Sequence, residues 1–262
     1  MNRARLSPLL LAASALAACG GGGSNSAALL PDKCAVTAPE DRLAECSKPT
    51  LDPAYYVEQS LKYFDTLDST VPIDVVPNYS ELVARWEWPP WLKLTGYTRD
   101  GMILTDILLK LFPTRIPERD CRFFPTQPFG RCYVNFDYDG DPCPIYEEFT
   151  FNDAGEMTFI EAWTDYPGFL PMADPADRWG EGETSRLATR VPGLGSPDGR
   201  IDLESPAMLE AAAADPDVED FVVHARDPFF TWIADLLAAD PDFFAYGCDP
   251  GGARAVLPPK GR

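Results

Sequence analysis

EEFTFNDAGEMTFIEAWTD, residues 147–165, is the stretch on which the fold turns. Two runs rich in Phe, Thr, Ile and Trp alternate in character on either side of Asn-Asp-Ala-Gly-Glu, the pattern of paired strands around a tight turn. Gly155 can take the left-handed conformation that closes a three-residue loop of Asp153-Ala154-Gly155. A loop of that length sets Phe151 opposite Met157, Phe149 opposite Phe159, and Glu147 opposite Glu161. Strand alternation then puts all six, with Trp163, on one face. Two carboxylates at the edge of an aromatic face cannot both ionise easily, so one would hold its proton. A neutral acid beside a charged base is what proton transfer requires, which makes Glu147 and Glu161 the candidate catalytic pair. The competing reading places them at a solvated sheet end or on arginines.

The flanking sequence supplies the partners of this hairpin. Asp52-Pro53 is a helix cap and first residue, and Val57, Leu61 and Phe64 recur at helical spacing. Residues 83–97 alternate Ala84, Trp86 and Trp88 against Arg85 and Glu87, then break at Pro89-Pro90, as a kinked strand does. A second helix follows from Arg99, with Ile103, Ile107 and Leu111 on one side and Pro113 as its stop. Further strands are expected in 120–138 and 144–151. Residues 166–204 are rich in Gly, Pro and Asp. Short helices follow, opened by Asp215-Pro216, Asp227-Pro228 and Asp240-Pro241, with Val218, Phe221, Val222 and Ala225 on one face and Phe230, Ile233 and Leu237 on another. The order predicts an α+β fold: a curved antiparallel sheet packed on N-terminal helices, with a helical C-terminal extension.

Residues 52–165 resemble the NTF2-like superfamily, in particular its SnoaL-like group. The motif is Phe149-Thr150-Phe151-Asn152-Asp153-Ala154-Gly155-Glu156-Met157, similar to that family's strand, Asp-x-Gly turn and following strand. The resemblance implies a cone with an apolar cavity, used by some relatives for isomerase, dehydratase or cyclase chemistry and by others only for binding. Trp86, Trp88, Phe149, Phe159 and Trp163 would then wall a pocket for a hydrophobic molecule. Tryptophans at such spacing also fill cores.

The chain's address is written at its start. MNRARLSPLLLAASALAAC has a basic n-region at Arg3 and Arg5 and a short apolar run, too short to span a bilayer. Leu16-Ala17-Ala18-Cys19 resembles the lipobox of bacterial lipoproteins, which implies cleavage before Cys19 and acylation of that residue. Several acyl chains on one residue suffice for stable anchoring. The absence of Asp after Cys19 favours the outer membrane, facing the periplasm. The expected organisation is a signal peptide at 1–18, then lipidated Cys19 with a Gly/Ser tether and clipped lead-in to residue 50. The α+β domain follows at 51–165 and the extension at 166–262.

Cys34, Cys46, Cys121, Cys132, Cys143 and Cys248 form an even set, and an exported chain with an even set is expected to hold three disulfides. The favoured pairs are Cys34–Cys46, Cys121–Cys132 and Cys143–Cys248. No C-x-x-C occurs, so a zinc site is not expected.

With 22 basic against 41 acidic residues, a formal charge of −19 repels phosphate backbones, and nucleic acid is not an expected partner. His224 is the only histidine, and hydrolase elbows, Walker loops and dinucleotide glycine patterns are missing. No cofactor is expected. Asp137, Asp139, Asp141 and Glu148 sit at calcium-loop positions, but Pro142 replaces the required glycine and the flanks read as strands, so a hairpin turn is preferred. The sequence reading is thus a lipid-anchored envelope protein that binds a hydrophobic small molecule or an envelope partner without catalysis. The alternative is an acid–base isomerase or dehydratase using Glu147 and Glu161.

Overall fold

The computed structural model describes residues 34–72, 76–88, 96–110, 114–138, 140–164, 170–172, 177–180 and 186–226. The signal peptide, Cys19, Trp91, Cys248 and the helices expected beyond 227 lie outside those residues. Helix α1 (Pro53–Leu67) starts where the sequence predicts, the Asp52 carboxylate accepting the Ala54 N–H at 2.9 Å. Its buried face carries Tyr56, Gln59, Ser60, Tyr63, Phe64 and Leu67, with Val57 and Leu61 on the flank rather than at the centre. Helix α2 (Arg99–Leu109) also departs from the expected stripe: Met102, Thr105 and Asp106 are buried, whereas Ile107 is 37% exposed.

Six strands follow the order β2-β1-β6-β5-β4-β3 in one sheet, where β1 is Tyr79–Trp88, β2 Gly96–Tyr97, β3 Thr114–Phe123, β4 Gly130–Tyr138, β5 Asp141–Phe151 and β6 Met157–Thr164. The α+β expectation holds, with one correction. The sheet is mixed, because β1 and β6 run parallel while the other neighbours are antiparallel. The meander β3–β6 returns the chain beside the first strand, and four strands of alternating direction bring β6 back parallel to β1. Helix α1 packs on β3 and β4, and α2 on β1 and β2, so the sheet curves around the helix pair.

The turn between β5 and β6 forms as predicted. Gly155 has φ +77°, its N–H donates to Asn152 O at 3.0 Å, and the Asn152 N–H donates to Glu156 O at 3.0 Å. Phe151 then faces Met157, but the next pair is Thr150 with Phe159. Thr158 is the additional residue of a β-bulge, its hydroxyl donating to Thr150 O at 3.2 Å. Beyond it the register is displaced by one, and a one-residue slip exchanges the faces of every later side chain. Glu147 therefore pairs with Ala162, and Glu148 with Glu161.

Both faces of the sheet are buried. The concave face joins α1 and α2 through Tyr56, Phe64, Val83, Phe149, Phe151, Met157 and Ile160. The outer face, with Trp86, Trp88, Tyr146, Phe159 and Trp163, is covered by the C-terminal extension. That extension includes a 3-10 turn (Leu187–Thr189), α3 (Pro206–Ala214) and α4 (Pro216–Arg226). Helix α4 opens on Asp215, whose carboxylate accepts the Asp217 N–H at 2.9 Å, and buries the predicted stripe Val218, Phe221, Val222 and Ala225.

Disulfides join Cys34 to Cys46 and Cys121 to Cys132, the latter two facing each other across β3 and β4. Cys143 is also disulfide-bonded, to a partner outside the described residues.

Candidate functional site

The structure does not bring Glu147 and Glu161 together. Glu147 points into the concave side and Glu161 into the outer layer, because the bulge at Thr158 turns β6 over relative to β5. The expected aromatic wall divides in the same way. Phe149 belongs to the concave core, while Trp86, Trp88, Phe159 and Trp163 pack beneath the extension. Trp86 meets Phe221 and His224, with ring centroids 6.1 Å apart in each case. These tryptophans are core, as alternation with a covered outer face requires.

The other half of β1 faces inward, and it is polar. Arg85 is 0% exposed, its Nη1 donating to the Tyr63 hydroxyl at 3.0 Å and to Asp106 Oδ1 at 3.3 Å. The Tyr79 hydroxyl donates to Asp106 Oδ2 at 2.8 Å. Tyr63 and Arg85 lie close enough to Glu147 to oppose the rise of its pKa, and Glu87 lies within electrostatic reach of both Arg85 and Glu147. Helices α1 and α2 contribute Tyr63 and Asp106, β1 contributes Tyr79, Arg85 and Glu87, and β5 contributes Glu147. Three carboxyls and two phenols thus surround one guanidinium in an otherwise aromatic and aliphatic interior.

The register gives this cluster a shape. Glu87 pairs with Ala162 on β6, and Ala162 pairs with Glu147 on β5. The two glutamates therefore flank one small side chain, their backbones roughly 10 Å apart across two strand spacings. Ala162, itself buried, is the small side chain between the two carboxyl-bearing strands.

Burial dominates the electrostatics. It pushes Glu87 up to about 7, against the opposing pull of Arg85. Burial raises Glu147 well above the usual carboxylate range, and the charge of Glu87 adds to this while Arg85 and Tyr63 oppose it. Burial also raises Asp106, although Arg85 and the Tyr79 hydroxyl work the other way. Burial thus favours the protonated form of Glu147, and Glu87 is the group poised to change state near pH 7. Polar atoms here remain unmatched: Arg85 Nε and Nη2 and Glu147 Oε2 are buried without a hydrogen-bond partner.

Glu161 has a different task. Its carboxylate accepts Trp88 Nε1–H at 2.7 Å, the Leu187 N–H at 2.7 Å and the Ala188 N–H at 3.1 Å. Beside it, Glu148 takes a two-pronged contact from Arg186, with Nε at 2.7 Å and Nη2 at 2.9 Å, and accepts the Tyr146 hydroxyl at 2.7 Å. Burial raises Glu161 to about 7, with those three donors opposing and Glu148 adding to the rise. The pair Glu148 and Glu161 fastens the extension to the sheet.

Strands β4 and β5 pair as far as Tyr138 and Asp141, and Asp137 is bonded to Arg115 at 2.8 Å. Among the described residues no group of three potential ligands is placed to hold a metal ion. His224 sits at the rim of α4, its Nδ1 2.7 Å from Asp220 O.

Arg85, Glu87, Asp106, Tyr63, Tyr79 and Ala162 were not singled out from sequence. The available signal was the alternation of Arg85 and Glu87 with the tryptophans of β1; that both faces of this strand meet an interior is shown only by the burial of every residue from Val83 to Trp88.

No family model matches the chain, and no curated protein matches it. Solved structures do. One is a SnoaL-like family protein from Agrobacterium tumefaciens to which isomerase activity is ascribed, 14% identical, matching 43% of this chain and 99% of that one with a TM-score of 0.33. A second, from Kribbella flavida, is ascribed ketosteroid isomerase activity and is 13% identical over 52% of this chain and 95% of that one, at a TM-score of 0.35. An NTF2-like protein of unknown function from Cytophaga hutchinsonii is 11% identical over 42% and 89%, at 0.30. At these values the likeness carries no functional argument, and the site rests on its own geometry.

Proposed function

We propose that the concave face of the sheet is a proton-transfer site for a small molecule, in an exported chain held at the cell envelope through lipidated Cys19. The observation that carries the first part is the row Glu87, Ala162, Glu147 beside the buried Arg85, with unmatched polar atoms on both Arg85 and Glu147. As a carboxylate, Glu87 accepts a proton from carbon. Neutral Glu147, assisted by Tyr63, gives its proton to the oxygen on which charge develops. Return of the two protons at new positions completes an isomerisation, and loss of a hydroxyl as water completes a dehydration. A pocket walled by the five aromatics is less well supported, because those side chains divide between two layers.

The disulfides in the described residues support export, since such bonds persist in oxidising compartments. The anchor is tested by Cys19→Ala, which should move the protein from the membrane to the soluble periplasmic fraction. The chemistry is tested by following deuterium exchange at the α-carbon of a panel of cyclic and linear ketones. Exchange above the rate of an equal concentration of glutamate buffer, lost at least 100-fold in Glu147→Gln and in Glu87→Gln, is expected. Exchange that survives both substitutions would remove the proposal.

A further inference from the structure

Arg186 and Arg85 are both buried, and their guanidinium edges are engaged differently. Arg186 presents Nε and Nη2 side by side to the Glu148 carboxylate, making two parallel bonds in a buried setting. This is the two-pronged geometry in which the guanidinium fork matches a planar carboxylate. In Arg85, Nη1 is engaged by Tyr63 and Asp106, while Nε and Nη2 have no partner although the residue is 0% exposed. The empty edge of Arg85 is the same edge that Arg186 fills.

An orphaned donor pair at this depth costs several kcal/mol unless something occupies it. The nearest candidates within the chain do not: Glu87 and Glu147 are close enough to act on Arg85 electrostatically, yet neither hydrogen-bonds its free edge. Glu147 Oε2 is itself unmatched, so a donor and an acceptor site stand open in one cluster. Resting on the proton-transfer reading above, we infer that this site takes small molecules bearing a carboxylate, which docks two-pronged on Arg85 Nε and Nη2 on the Ala162 side of the cluster.

The surrounding charges set the pH dependence of such binding. Arg85 and Asp106 form a close pair at 3.3 Å, and burial favours the neutral forms of Glu147 and of the phenols of Tyr63 and Tyr79. The remaining charge facing Arg85 is Glu87, which titrates at about 7. An incoming carboxylate competes with ionised Glu87 for the same guanidinium, so binding draws a proton onto Glu87. Affinity should therefore weaken up to tenfold per pH unit above about 7.

The test is calorimetric titration of the full chain in detergent with formate, acetate, benzoate and cyclohexanecarboxylate, each set against its uncharged amide, in two buffers of different ionisation enthalpy. At least one carboxylate is expected to bind ten times or more tightly than its amide, with proton uptake at pH 7.5. Arg85→Lys keeps the charge but loses the fork and should weaken it at least tenfold. Should Arg85→Lys fold poorly, Glu87→Gln is the second variant: it removes the competing anion and should tighten carboxylate binding and abolish proton uptake. Equal binding of acids and amides, absence of binding by the whole series, or an unchanged affinity in Glu87→Gln overturns the inference. Carboxylate binding without ketone exchange would refute the proton-transfer reading alone. Exchange on ketones without carboxylate binding would refute this inference alone.

Discussion

Glu147 and Glu161 lie on adjacent paired strands and point into different layers of the molecule, Glu147 toward Tyr63 and Arg85, Glu161 toward Leu187 and Ala188. Their separation follows from Thr158, the bulge residue. It also separates their consequences on mutation. Glu161→Gln places an amide N–H₂ against backbone donors, which should cost about 1–3 kcal/mol in stability while leaving ketone exchange within a factor of two or three. Glu147→Gln should do the reverse, abolishing exchange with a small stability change. Urea unfolding and the exchange assay on the same two variants check this.

Three buried glutamates make stability depend on pH in an unusual direction. Glu87 and Glu161 are raised to about 7, and Glu147 is raised well beyond the usual range. Each binds a proton in the folded state at pH values where the unfolded chain has lost it. Stability is therefore highest below the unfolded carboxylate range near 4.5 and is lost as pH rises toward 7. The contribution is on the order of 3 kcal/mol for each of Glu87 and Glu161. The urea midpoint should rise between pH 8 and pH 5.5, and Glu87→Gln should flatten the slope. Below pH 4, protonation of Asp68 opposes the gain: burial acts to raise its pKa, but bonds from Thr70 and Ile116 and the charge of Arg119 hold it below the usual range.

The extension packs on the sheet through an apolar core, and Arg186 adds a buried charged contact to it. Arg186→Ala leaves the Glu148 carboxylate buried against Tyr146 and Arg131 without its main partner. A loss of about 3–5 kcal/mol is expected. Limited proteolysis should then cut within 186–226 well before it cuts the sheet, whereas the parent chain should resist at both.

Ala162→Leu adds bulk between Glu87 and Glu147 without removing any polar group. Carboxylate binding and ketone exchange should both fall at least tenfold, with circular dichroism unchanged. Retention of both would mean that the small molecule does not lie over Ala162.

The paired cysteines Cys121 and Cys132 close a loop of sequence separation 11. Replacing both with Ser should destabilise the chain by about 3 kcal/mol, read from the urea midpoint with and without reductant.

What the sequence by itself determined was local. Asp52-Pro53 and Asp215-Pro216 set helix starts because capping uses near neighbours, and Asn152 to Glu156 set the turn because only Gly155 accepts its φ. The Cys34–Cys46 and Cys121–Cys132 bridges were legible from spacing around short loops. Tertiary structure decided which face each residue uses. The bulge at Thr158 left no mark in the pattern, and it moved Glu161 out of the concave side. The extension buries the outer face of β1, which turns Trp86 and Trp88 into core and leaves Arg85 and Glu87 to face the interior. Asp106 carried no expectation from the pattern of α2, and it is buried where Arg85 and Tyr79 meet it. Alternation fixes that two faces differ; only the packing of distant segments fixes which of them is the site.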